Sequence, residues 1–237
     1  MVPVLLIVLG GLAVVGGFVV LVSYGPRYRV ARLLATTARV SVDDARAIAE
    51  RSEARYVRVD GRLDSEENFE DERHRPLVFR RTRLDARAAG GWQNLGERKE
   101  HVPFEVREGL SAIAVDGSAL DTGLVVVPRE STGIAADAAD RVPPTLPPTT
   151  PVRLRIDQVS SVEHAIVLGV PVSNGTGQPR LTAGLGRPLV LTTLEPPEAM
   201  RILAAGRARP GVAAALLAAG FGLVVVGVIW LLVGAIL

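Results

Sequence analysis

Every charged side chain lies between Arg27 and Arg209, so each end of the chain is an uncharged apolar stretch, Val2 to Tyr24 and Gly211 to Leu237. About 20 helical residues cross a hydrocarbon core of about 30 Å, and both stretches reach that length. The chain therefore reads as two transmembrane helices with all polar structure between them. A secretory signal would need a basic leader, a shorter apolar core and a small-residue cleavage site. No Lys or Arg precedes the first run, and Val22, Ser23, Tyr24 and Gly25 make no such site. The expectation is a retained anchor.

Orientation follows from the basic residues beside the spans, which stay on the cytoplasmic side. Arg27, Arg29, Arg32 and Arg39 follow the first span, and Arg201, Arg207 and Arg209 precede the second. Both helices then place their outer ends outside and the central domain in the cytoplasm of a multi-pass membrane protein. The expected organisation is a transmembrane helix over 1–25, a juxtamembrane helical segment over 26–53, a β-rich domain over 54–206 and a second transmembrane helix over 210–237.

The net charge of +2 falls wholly on the central domain, and it is too mild to argue for nucleic acid. Without cysteine the chain forms no disulfide, thiolate metal site or cysteine nucleophile. Lys99 is the only lysine among 27 Lys and Arg, a bias that fits arginine-rich codon usage and a prokaryotic source.

Between the spans the period of the apolar residues changes from helix to strand and back. Ser41 with Asp44 three residues on is a helix-start signal, which predicts a helix from Ser41 to about Ser52 that buries Ala45, Ile48 and Ala49. Tyr56, Val57 and Val59 then alternate with Arg55, Arg58 and Asp60, a half-exposed strand ending at Gly61. Further strands are expected at Pro76–Leu84, His101–Val106, Ala112–Val115, Leu124–Pro128, Val152–Val159, Ala165–Val170 and Leu189–Thr193. Turns at Ala89-Gly90-Gly91, Asp116-Gly117 and Asn174-Gly175 separate some of them. The fold class is α+β, a mainly antiparallel barrel or sandwich with flanking helices. Pro196 and Pro197 open a last helix carrying Met200, Ile202 and Leu203.

Two segments read as irregular. Asp64 to Glu72 is acidic and Arg73 to Arg83 basic, which fits a solvated loop beside a strand or a charged contact. Val142 to Pro151 holds five prolines and cannot be helix or central strand, so it is expected to be an extended linker over 142–151 that divides the domain into lobes.

Little chemistry is assembled in the sequence. His74, His101 and His164 lack ligand spacing, so no metal site is assigned. Gly175, Gly177, Gly184 and Gly186 lack the lysine of a phosphate loop and serve turns, so no cofactor is assigned. No nucleophile elbow occurs, and the nearest approach to a catalytic set is Ser160 or Ser161 with His164 and a distant Asp.

Pro76-Leu77-Val78-Phe79-Arg80-Arg81, Trp92 in a Gly-Trp segment, Val102-Pro103-Phe104 and Ala165-Ile166-Val167-Leu168-Gly169 resemble the GIDE domain, also called the BAM domain, of mitochondrial membrane-anchored ubiquitin ligases. The similarity runs from about Tyr56 to Ala205. The resemblance implies a domain suspended between two transmembrane helices, with Pro76, Arg80, Trp92, Pro103, Phe104 and Gly169 as signature positions of structural character. The ligases carry a zinc-binding RING after the second span, and this chain has no cysteine, so their activity is not expected. The resemblance points instead to a RING-less prokaryotic member, with a role in envelope stress or defence.

Trp92 and Phe104 are expected to be buried anchors, each covering about 150–250 Å². Gly10 and Gly17, and Gly220, Gly227 and Gly234, recur at a spacing of seven, close to two helical turns, and form small-residue stripes that pack the spans together in one chain or between chains. Three function classes stand: a non-enzymatic interaction or sensing module with the bilayer and a protein as partners, a scaffold or homo-oligomer assembled through the helices, and an unrecognised hydrolase.

Overall fold

The computed structural model describes residues 2–138, 140–173, 178–204 and 208–236. Asn174, Gly175, Gly177 and Arg207, and the surroundings of the Tyr24, Arg209 and Gly234 side chains, lie outside that description. The molecule comprises two compact units.

The first unit holds the terminal apolar segments, residues 1–32 and 203–237. Helix α1 spans Val2–Thr36 and runs through Pro26, and helix α4 spans Ala208–Ile236. Within them Val2–Val20 and Gly211–Val233 are long and apolar enough to cross a membrane. The two helices pack antiparallel along their glycines. A Cβ on Gly10 would lie 2.6 Å from the Gly220 carbonyl oxygen, one on Gly17 3.0 Å from the Ala213 oxygen, and one on Gly227 2.9 Å from the Pro3 oxygen. Only glycine permits backbones to approach so closely, which is the use expected of small residues in paired apolar helices. The pairing occurs within one chain.

The second unit, residues 33–202, is α+β and mostly antiparallel. Helix α2, Val42–Glu50, starts where expected: the Ser41 hydroxyl accepts the Asp44 amide at 3.1 Å and donates to the Asp44 carboxylate at 2.7 Å. Among the described residues twelve strands follow in two sheets.

The larger sheet contains β1 (Val57–Asp64), β5 (Phe104–Glu108), β6 (Ser111–Val115), β7 (Leu120–Val125), β10 (His164–Ser173), β11 (Pro179–Thr182) and β12 (Leu189–Thr192). β1 pairs with β5, β5 with β6, β6 with β11, β11 with β10 and β10 with β1, so five of these strands close into a ring. Closure removes the sheet edges that would otherwise need protection. Helix α2 touches all five barrel strands, so it stoppers one mouth with Val42, Ala45 and Ile48 in the main core. β12 and β7 continue the sheet from β10.

Gly169 has a definite structural reason. It sits on β10 where the pairing passes from β12, at 166–168, to β11, at 170–173. A Cβ there would lie 2.8 Å from the Thr182 carbonyl oxygen and 2.9 Å from a Leu189 methyl carbon.

The smaller sheet is β3 (Pro76–Ala88) flanked by β4 (Gly91–His101) and β9 (Pro151–Ser160), with β2 (Phe69–Glu70) on the start of β3 and β8 (Arg129–Ile134) beyond β9. A register shift between Leu77 and Phe79 leaves Val78 as an extra residue, so Leu77, Val78 and Phe79 are all buried in succession. Val78, Phe79 and Val159 belong to the barrel core, and that shared core joins the sheets.

The proline-rich segment does not divide lobes. It lies between β8 and β9, which pair with one another, and Val142 and Leu146 pack on a small cluster of Leu84, Ala86, Ala135 and Val152. The last helix, α3, spans Pro196–Ala204 and buries Ala199, while Met200 is exposed.

Candidate functional site

The sequence marks a basic run after an acidic one, and the structure divides both among separate partners. Arg81 and Asp157 face each other across β3 and β9 and are nearly fully buried, with Nε and Nη2 of Arg81 at 2.9 and 2.7 Å from Oδ2. Arg83 pairs with Glu97 across β4, and Arg153 with Asp85 across β9. Most of the acidic run takes no part in this ladder.

Within that run Asp71 has a side chain only 2% exposed. One carboxylate oxygen accepts the backbone amides of Arg73 and Arg75 at 2.8 and 3.0 Å. The other accepts Arg75 Nε at 2.8 Å and meets Arg129 Nη1 at 3.4 Å. The chain makes this possible by turning tightly, with His74 at φ 55° and the Asp71 amide donating to the Arg75 carbonyl. The Arg75 backbone donor is the foremost cause that holds the Asp71 carboxyl well below the ordinary carboxylate range, against the opposing effect of its burial, and the Arg75 guanidinium and Arg73 amide add to it.

These two arginines line a groove of about 400 Å³ where the sheets meet. Leu77, Val126, Ile156 and Leu194 supply apolar walls, Gln158 anchors Arg75 Nη2 at 2.9 Å, and Ser160 at the end of β9, Glu163 in the following turn and His164 at the start of β10 complete the lining. The volume lies in the range of small-molecule sites, and the lining is mixed, with Leu77, Val126, Val127, Ile156 and Leu194 set among seven polar or charged residues.

Of the catalytic combinations the sequence offered, Ser160 or Ser161 with His164, Ser160 and His164 share this groove, while Ser161 is buried and not among its lining residues. Among the described residues no hydrogen bond joins Ser160 to His164; the Ser160 amide donates to Glu163 Oε2 at 3.4 Å. No cluster of His, Cys, Asp or Glu among the described residues could hold a metal ion.

The six signature positions do not converge. Pro76 opens β3, where its missing amide costs nothing, and its carbonyl accepts the Ser161 amide at 3.2 Å. Arg80 lies over Phe69 at 5.2 Å and bonds Glu100 at 2.6 Å. The Pro103 carbonyl accepts the Ser65 hydroxyl, and Phe104 is buried in the barrel. Trp92 departs from expectation: it begins β4, 36% exposed, with the guanidiniums of Arg153 and Arg87 at 4.8 and 5.6 Å from its ring. The Gly-Gly turn puts it at the far end of the β3–β4 hairpin, away from the core, and cation–π contact stands in for burial.

What the sequence missed are Asp71, Arg75, Arg129 and Gln158. Their one local signal was the density of charge at 64–83, which did not reveal which carboxylate would be buried. Comparison with protein-family models, with curated proteins and with solved structures finds no match to any of them.

Proposed function

We propose that the protein is a membrane-anchored interaction or sensing module, held by α1 and α4 in the bilayer and presenting its β domain to the cytoplasm. The observation that carries this reading is the groove: two guanidiniums gathered on one buried carboxylate, beside apolar side chains, with no hydrogen bond among the described residues linking Ser160 to His164. That is an arrangement for holding a partner rather than for activating a nucleophile, which needs a base within hydrogen-bond reach. The arginine-flanked spans support the orientation. The likeness of Pro76–Arg81 and Val102–Phe104 to GIDE domains is consistent with this reading and supplies no chemistry of its own.

Affinity capture of the full chain from native membranes tests the module: a defined partner, lost when Arg129→Gln alters the groove, is the expected result. The second reading, a hydrolase, draws on Ser160 and His164 sharing that groove. Labelling of Ser160 by a serine-reactive fluorophosphonate would favour it and displace the first.

A further inference from the structure

We infer that the groove at the junction of the sheets binds a soluble monoanionic carboxylate carrying a short apolar body. The inference rests on the interaction-module reading only in taking this groove as the contact site. Asp71 is buried and takes four or more donors from Arg73, Arg75 and Arg129, so its lone pairs are used up within the protein. Two arginines around one carboxylate leave one positive charge in excess beside Asp71, and Glu163 is the one further carboxylate lining the groove. Arg129 carries it outward: its side chain is 42% exposed, and among the described residues it is held only through Nη1. The rest of its fork is left to meet the planar, two-oxygen geometry of a carboxylate.

Two further features narrow the ligand. The exposed Val127 and the half-buried Ile156 and Leu194 offer apolar contact to whatever the anionic group carries. Glu163 lines the same groove, so a second negative charge on the ligand meets a carboxylate, which favours a monoanion over a phosphate dianion.

The test uses the full chain in phosphatidylcholine nanodiscs, with hexanoate, hexanol and hexyl phosphate titrated calorimetrically. Hexanoate is expected to bind at least about tenfold tighter than either of the others, since a charge-assisted pair lost or opposed costs about that much. Arg129→Gln, whose side chain is exposed and loosely held, is expected to weaken hexanoate about tenfold. Val127→Glu, which adds a negative charge at an exposed groove position while keeping both arginines, is expected to weaken it similarly. Equal binding of hexanol, undiminished binding by both variants, or no hexanoate binding overturns the inference. Nanodiscs containing phosphatidylglycerol separate the sources of anion: unchanged hexanoate affinity supports a soluble carboxylate, and competition by the lipid overturns it in favour of a headgroup. A groove blind to hexanoate that still crosslinks a protein partner at Val127 would remove this inference while leaving the module reading intact.

Discussion

Phe104 and Trp92 look alike in the sequence, yet one is 4% and the other 36% exposed. Phe104→Ala should lower stability by about 3–5 kcal/mol, the usual cost of truncating a buried aromatic, whereas Trp92→Ala removes only two cation–π contacts and should cost about 1 kcal/mol. Denaturant unfolding of both variants checks this, and equal losses would refute the distinction. Asp157→Ala strips the counter-ion from buried Arg81 and should cost about 3–5 kcal/mol. Asp71 makes a pH prediction. Its carboxyl is held below the ordinary range in the folded state, so protons bind the unfolded chain first as pH falls. Its contribution is complete above the unfolded pKa of about 3.9 and is lost as pH falls from there through the folded value. The stability gap between wild type and Asp71→Asn should therefore be widest near neutrality and shrink below about pH 4. A gap independent of pH would show that Asp71 acts without its charge.

Elements with one buried face were readable from sequence, because burial imposes a period. α2 was expected to begin at Ser41 and bury Ala45, Ile48 and Ala49, and it does both; β1, β6, β9, β10 and β12 lie within a few residues of their expected places. β4 and β8 were not foreseen. They form the two edges of the smaller sheet, β8 is exposed along its whole length and β4 nearly so, and a strand that buries neither face carries no alternation. The groove was illegible for a related reason: it is assembled from the start of β3, the segment after β7, β8, β9, the start of β10 and the segment after β12, none of which specifies its neighbours. For the apolar helices the spacing of glycines sufficed, since close approach leaves a local signature. Replacing Gly227 with Leu puts its side chain where Ile7 Cγ1 already lies, 2.7 Å from the new Cβ. In a variant carrying cysteines at the exposed positions Val2 and Leu231, off the glycine stripe and in a chain that has no other cysteine, bismaleimide crosslinking of the two helices should fall sharply on this change. Unaltered crosslinking would show that the glycine stripe does not hold the pair.

The whole molecule couples two apolar helices to a domain whose five-stranded barrel leaves its ring without edges and whose second sheet adds the groove. The proposed orientation is open to reporter fusions: alkaline phosphatase placed after Leu237 should be active and a fluorescent protein there should not be, and the reverse pattern would invert the topology. The central question is whether the groove is a contact site. Its most direct test is photocrosslinking in native membranes from a benzophenone amino acid at Val127, an exposed groove residue, compared with one at the fully exposed Leu110 outside the groove. The account predicts a discrete adduct from position 127 alone that disappears with Arg129→Gln. Identical adducts from both positions, or an adduct indifferent to Arg129, would contradict it.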